Sequence, residues 1–155
     1  MTRLEPGDSA PDVALRTDED EELRLSSLRG ERVVLYFYPR SDTPGCTTEA
    51  CEFRDASDDF AGAGARIIGV SPDPVAKQAS FRAKHGLPFT ILSDPEHEAA
   101  EAYGVWVEKR NYGKTYMGVE RSTFVIGADG TIESAMYKVK AAGHAAKVLE
   151  ALAAG

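Results

Sequence analysis

Two runs of β-branched and aromatic residues set the frame of this chain: Arg32-Val33-Val34-Leu35-Tyr36-Phe37-Tyr38 and Arg66-Ile67-Ile68-Gly69-Val70-Ser71. Each reads as a buried strand. Pro39 ends the first, and the stretch from Cys46 to about Ala63 reads as a helix closed by Gly62 and Gly64. The alternation continues downstream. Pro74 to Lys84 reads as a helix with Gly86 after it, Phe89 to Leu92 as a short strand, and Glu96 to Tyr103 as a helix stopped by Gly104. Ser122 to Ile126 and Thr131 to Ala135 flank Ala128-Asp129-Gly130, which is the pattern of a hairpin with an Asp-Gly turn. Ala142 to Ala153 reads as the last helix, and Asp12 to Arg16 with Glu22 to Leu25 as a smaller N-terminal hairpin. The expected architecture is an α/β sandwich with a central mixed β-sheet, parallel strands at its centre and helices on both faces.

No repeat, low-complexity tract or linker divides the 155 residues, so one domain spanning 1–155 is expected. The formal net charge is −7, which disfavours nucleic acid as a partner. The run Asp18-Glu19-Asp20-Glu21-Glu22 reads as a solvated turn, because like charges resist burial. No apolar run approaches the roughly 18 residues of a membrane span. Met1 to Asp12 carries Glu5, Asp8 and Asp12 and no apolar core, unlike a secretory leader, so a cytoplasmic location is expected.

Cysteine usage narrows the chemistry. Cys46 and Cys51 are the only two, too few for a disulfide-stapled secreted scaffold. Two thiolates alone cannot fill a tetrahedral zinc site, and His85, His97 and His144 are all remote from them in sequence. No metal and no cofactor is expected. The pair points to redox work.

The stretch Tyr38-Pro39-Arg40-Ser41-Asp42-Thr43-Pro44-Gly45-Cys46 lies where a buried strand hands over to a helix. In open α/β sheets, sites gather beyond the carboxyl ends of the strands. Pro44 suits the first helical position, since it has no N–H to orphan there, and Thr43 becomes the N-cap. Cys46 then falls in the first turn, where free N–H groups and the positive end of the helix dipole favour a thiolate, the reactive form. Alone, Cys46 would read as a small core residue, since free cysteine is often buried. The Thr-Pro-Gly cap before it points to reactivity instead.

Cys46, Ala50, Phe53, Ser57 and Phe60 share one helical face, expected to be buried, while Cys51 falls with Thr47, Arg54 and Asp58 on a polar one. In an ideal helix the Cα atoms of Cys46 and Cys51 stand about 8.6 Å apart. A disulfide tolerates about 7 Å at most. The pair cannot bond until the first turns unwind. Thr47 and Thr48, β-branched and low in helix propensity, would ease that unwinding, though they fit local packing equally well.

Pro39-x-x-x-Thr43-x-x-Cys46 resembles the active-site signature of peroxiredoxins. The longer run from Thr43 to Asp55 is similar to the peroxiredoxin Q, or bacterioferritin-comigratory, subfamily. Gly7-Asp8-x-Ala10-Pro11-Asp12, Gly69-Val70-Ser71-Pro72-Asp73, Leu87-Pro88-Phe89-x-Ile91-Leu92-Ser93-Asp94 and Arg121-Ser122-Thr123-Phe124 extend the resemblance over nearly the whole chain. It implies a thioredoxin-like fold and a thiol-dependent peroxidase acting on hydrogen peroxide and organic hydroperoxides. It implies that Cys46 becomes a sulfenic acid, that Thr43 bonds the peroxide, that Arg121 holds thiolate and peroxide oxygen, and that Pro39 shields the sulfur. It further implies that Cys51 resolves the sulfenic acid as an intramolecular disulfide, that thioredoxin or a similar dithiol reduces it, that Glu49 belongs to the hydrogen-bonded shell, and that the protein is a monomer.

Away from the resemblance, Arg121 reads as a surface ion pair with Glu120 or another acid. Tyr38 and Trp106 read as core or pocket wall, and the three histidines as surface residues. Two rival functions use the same sulfurs. A thiol–disulfide oxidoreductase usually carries cysteines two residues apart, unlike the pair here. A redox sensor passing oxidation to a partner protein is compatible with the sequence.

Overall fold

The computed structural model describes residues 3–154. Met1, Thr2 and Gly155, which bound the expected 1–155 domain and begin the N-terminal segment, lie outside the described residues. Nine strands and five α-helices follow in chain order. They are β1 Ala14–Thr17, β2 Glu22–Arg24, β3 Arg32–Phe37, α1 Pro44–Asp55, α2 Ser57–Gly62, β4 Ala65–Ser71, α3 Val75–His85 and β5 Thr90–Ser93. After them come α4 Glu98–Ala102, β6 Trp106–Asn111, β7 Lys114–Val119, β8 Ser122–Ile126, β9 Ile132–Met136 and α5 His144–Ala154. A 3₁₀ turn, Leu25–Leu28, links β2 to β3.

Seven strands form one sheet in the order β2-β1-β5-β4-β3-β8-β9. β3, β4 and β5 are parallel at its centre, with β1 antiparallel to β5 and β8 antiparallel to β3. The two-residue period of β3 divides its side chains between two cores. Val34 and Tyr36, continued by Tyr38, face α1, α2, α3 and α5 through Cys46, Ala50, Phe53, Phe60, Phe81 and Val148. Val33, Leu35 and Phe37 face the 3₁₀ turn and α4 through Leu25, Leu28, Ala99 and Ala100. Helices thus cover both faces of a mixed sheet, which is the thioredoxin-like arrangement expected.

Phe53 shows what fixes α1. Its ring stacks on Tyr36 at 4.6 Å between centroids and tilts against Phe60 at 5.5 Å. Burying such a side chain contributes about 1.5–3 kcal/mol. The Tyr36 ring can lie there because residue 69 of β4 is glycine; a Cβ at Gly69 would stand 3.0 Å from the ring.

Several expectations need correction. The single helix expected from Cys46 to Ala63 is two, broken at Ala56 (φ −98, ψ 6). Ser57, Asp58 and Asp59 prefer a new helix start to a helix interior, and both aspartates sit in the first turn of α2. The helix expected from Glu96 begins at Glu98, after His97 in a left-handed conformation. β6 and β7, which the sequence did not announce, pair as a separate hairpin. Its two-residue turn, Tyr112-Gly113, has φ of 52 and 77, as a type I′ turn requires. Finally, Asp18 does not belong to a solvated run. It is buried, accepting from Arg82 Nη1 at 3.0 Å and from the Ile91 N–H at 3.1 Å, while Glu19 to Glu22 are exposed.

Candidate active site

β3 ends under the core, and the chain turns through Pro39 to Thr43 into α1. Thr43 is the N-cap (φ −91, ψ 157) and Pro44 the first helical residue. The Thr47 N–H closes the first helical bond to the Thr43 carbonyl at 2.8 Å. Cys46 is therefore third in the helix, and its own amide and that of Gly45 precede the first intrahelical bond. The Thr43 hydroxyl does not cap the helix; it donates to the Arg40 carbonyl at 2.9 Å. Cys46 is 2% exposed, and Pro39 is half-buried just upstream.

Arg121, in the link between β7 and β8, reaches this sulfur. Its Nη2 donates to Cys46 Sγ at 3.3 Å and its Nη1 to Glu49 Oε1 at 2.6 Å. Cys46 and Glu49 are three residues apart on α1, so the helix presents both to one guanidinium. Glu49 is fully buried; burial pushes its pKa up to about 7, against the opposing pull of Arg121. Arg121 is therefore not a surface pair with Glu120, whose carboxylate meets Arg3 at 2.7 Å instead. Gly45 makes the approach possible, since a Cβ there would stand 3.2 Å from Arg121 Nη2.

Cys51 lies one and a half turns further along the same helix, half-buried, on the face away from the core. Both cysteines are free thiols in one continuous helix. The site thus holds a buried thiol and a second, more accessible one that only unwinding can bring to it.

Of the histidines, His144 departs from the surface reading. It is 2% exposed at the first turn of α5, 2.7 Å from Thr123 Oγ1 and edge-on to Phe53. Burial, and then the nearby Arg121 and Lys147 charges, lower its pKa to about 4, so the ring is neutral. His85 and His97 are half-buried. Trp106 stacks on the His97 ring at 4.1 Å and packs, partly buried, against the core that holds Val33, Leu35 and Phe37. Tyr38 is core, as expected, and its hydroxyl donates to Gln78 Oε1 at 2.7 Å. Gln78 and His144 were missed as neighbours of the site. Only the helical period places Gln78 inward, beside Phe81, and a polar residue at such a position is easily taken for a solvent-facing one.

A nearly buried thiol at a helix start, faced by a guanidinium on a thioredoxin-like sheet, defines a thiol-based redox enzyme. Comparison with known proteins narrows the class. Residues 6–135 match the AhpC/TSA family. The chain is 51% identical to peroxiredoxin Bcp of Bacillus subtilis, over 96% of this chain and 95% of that one. It is 43% identical to peroxiredoxin Bcp of Escherichia coli K12, over 93% and 92%. The solved structure of the Xanthomonas campestris bacterioferritin comigratory protein, studied for its alkyl peroxide reduction, superposes with a TM-score of 0.89 at 39% identity, covering 99% of this chain and 97% of that one. The chain belongs to the AhpC/TSA family and, within it, to the Bcp peroxiredoxins, which are thiol-dependent peroxidases. Among the described residues no helix is long and apolar enough to cross a membrane.

Proposed function

We propose that Cys46 is the sulfur that attacks the hydroperoxide. The thiolate attacks the terminal oxygen of the hydroperoxide, forming an S–O bond as the O–O bond breaks and the other oxygen departs with its electron pair. The products are the Cys46 sulfenic acid and an alkoxide or hydroxide, which takes up a proton. The Cys51 thiol then attacks that sulfur, expelling water and leaving a Cys46–Cys51 disulfide. A thioredoxin or similar dithiol restores both thiols. Hydrogen peroxide and organic hydroperoxides are the substrates. The enzyme acts as a cytoplasmic monomer, with residues 1–155 as one domain.

The observation that carries this reading is the 3.3 Å contact from Arg121 Nη2 to Cys46 Sγ. A guanidinium held there by Glu49 is aimed at the charge that passes from sulfur to the departing oxygen, and a fixed donor of this kind lowers the barrier. Thr43 takes part as an acceptor. Its own proton is committed to the Arg40 carbonyl, which leaves a lone pair for the hydroperoxide O–H. Pro39 limits water at the sulfur. The test is a stopped-flow titration of the reduced protein with peroxide, followed by mass spectrometry of the Cys46–Cys51 peptide. One equivalent of peroxide should yield one disulfide. A slow reaction, or oxidation elsewhere in the chain, overturns the assignment.

A further inference from the structure

Ser41 lies five residues ahead of Cys46, and its N–H and its hydroxyl are both tied down. Its N–H donates to Asp73 Oδ2 at 2.6 Å and its hydroxyl to Gln78 Oε1 at 2.8 Å. Gln78, on α3, is fully buried and uses every bond its amide can make. Its Oε1 also accepts from the Tyr38 hydroxyl at 2.7 Å, and its Nε2 donates to Ser71 Oγ at 2.6 Å and to the Leu92 carbonyl at 3.1 Å. Ser71 Oγ in turn donates to Asp73 Oδ2 at 2.7 Å. One amide thus bolts the loop that delivers Cys46 to the ends of β4 and β5.

A second anchor lies just beyond Cys51. Glu52 Oε1 accepts from the Gly143 N–H at 2.9 Å, and Arg54 Nη1 donates to the His85 carbonyl at 2.8 Å. The stretch that must unwind for the two sulfurs to meet is therefore bracketed: Ser41 on one side, Glu52 and Arg54 on the other. Nothing in the peroxidase chemistry itself uses Gln78.

We propose that Gln78 is a positioning residue that acts through Ser41. It holds the upstream end of the Cys46 loop fixed, so that the folded site is the favoured state and unwinding is confined to the segment between the anchors. The inference rests on the two-cysteine cycle proposed above. It has a two-sided consequence. The folded site performs the first oxidation, and it also exposes the sulfenic acid to a second peroxide, which gives sulfinic acid and water or an alcohol. The unwound state forms the disulfide. A looser anchor shifts the balance toward the unwound state, so both oxidations should slow while the disulfide gains.

Gln78→Met keeps the bulk and removes the bonds, and Ser41→Ala removes a single hydroxyl in case the first variant fails to fold. For each variant, the rate of Cys46 oxidation is read by stopped flow. The ratio of disulfide to sulfinic acid after graded hydrogen peroxide is read by mass spectrometry. The expected result is oxidation slowed about tenfold, the scale of one lost hydrogen bond, together with a several-fold higher disulfide to sulfinic acid ratio. A role in stability alone moves neither reading in the folded protein. Any result without both changes in at least one folded variant overturns the proposal. If the wild type itself forms no Cys46–Cys51 disulfide, the two-cysteine cycle fails instead.

Discussion

Glu49 Oε1 stands 2.6 Å from Arg121 Nη1, and the other terminal nitrogen of the same guanidinium stands 3.3 Å from Cys46 Sγ. The carboxyl is fully buried and the guanidinium mostly so, with 16% of its side chain exposed. Arg121 therefore does two jobs that mutation can separate. It faces the Cys46 sulfur, and it is the counter-ion of a buried acid.

Arg121→Ala should slow Cys46 oxidation by about 10²-fold or more, the scale of losing one charge-stabilising donor. It should also cost stability, about 3 kcal/mol, because a buried carboxyl loses its partner. Arg121→Ala with Glu49→Gln should recover most of the stability and none of the rate. Denaturant melts and stopped flow on the three proteins read both quantities. Recovery of the rate in the double variant would mean that Arg121 acts only by neutralising Glu49.

Glu49 and His144 should leave opposite marks on stability as a function of pH. Burial raises the Glu49 pKa from 4.5 to about 7 in the folded protein. Its contribution is thus present below about 4.5 and lost as pH rises through about 7. Burial lowers the His144 pKa from 6.5 to about 4, so its contribution is present above 6.5 and lost as pH falls through about 4. Because the windows overlap, single variants are needed. Wild type should lose melting temperature relative to Glu49→Gln between pH 4.5 and 8. It should lose melting temperature relative to His144→Asn between pH 6.5 and 4. Parallel melting curves at every pH would show that neither group titrates differently on folding.

Cys46→Ser keeps the side-chain shape and the Arg121 contact but replaces sulfur with a weak nucleophile. Peroxide consumption should vanish while the circular dichroism spectrum and melting profile persist. More than a few per cent of residual rate would move the chemistry to another residue.

The outline of this fold was legible because β3 and β4 are buried on both faces and so read as unbroken apolar runs. The placing of Cys46 was legible from Thr43-Pro44-Gly45, whose capping preferences are local. What escaped was set by tertiary contact. Asp18 looks like part of an acidic surface run until α3 brings Arg82 to it. His144 looks solvent-facing until α5 docks against Phe53 and Thr123. The β6–β7 hairpin escaped for a different reason. Most of its side chains are exposed or half-buried on both faces, so it lacks the alternation that marks a half-buried strand. The partnership of Arg121 with Cys46 spans 75 residues, and only the family resemblance pointed to it.

Cys51→Ser should separate oxidation from resolution. The first oxidation needs only the folded pocket around Cys46, so its rate should stay near that of the wild type. No disulfide can then form. The sulfenic acid should persist long enough to be trapped by a dimedone-type reagent, and excess peroxide should carry it to sulfinic acid. Turnover with thioredoxin should collapse. In the wild type, the disulfide should leave a mark on the backbone. Cys46 and Cys51 sit in one continuous helix from Pro44 to Asp55, where ideal geometry holds their Cα atoms about 8.6 Å apart. Closing to within about 7 Å breaks the helical bonds between them. Amide exchange from Thr47 to Glu52 should therefore quicken in the disulfide form and return to its slow rate on reduction. Protection beyond Arg54, where the second anchor holds α1 to α3, should change little. Equal protection of Thr47 to Glu52 in both forms, or normal turnover of the variant with thioredoxin, would assign the resolving thiol to something other than Cys51.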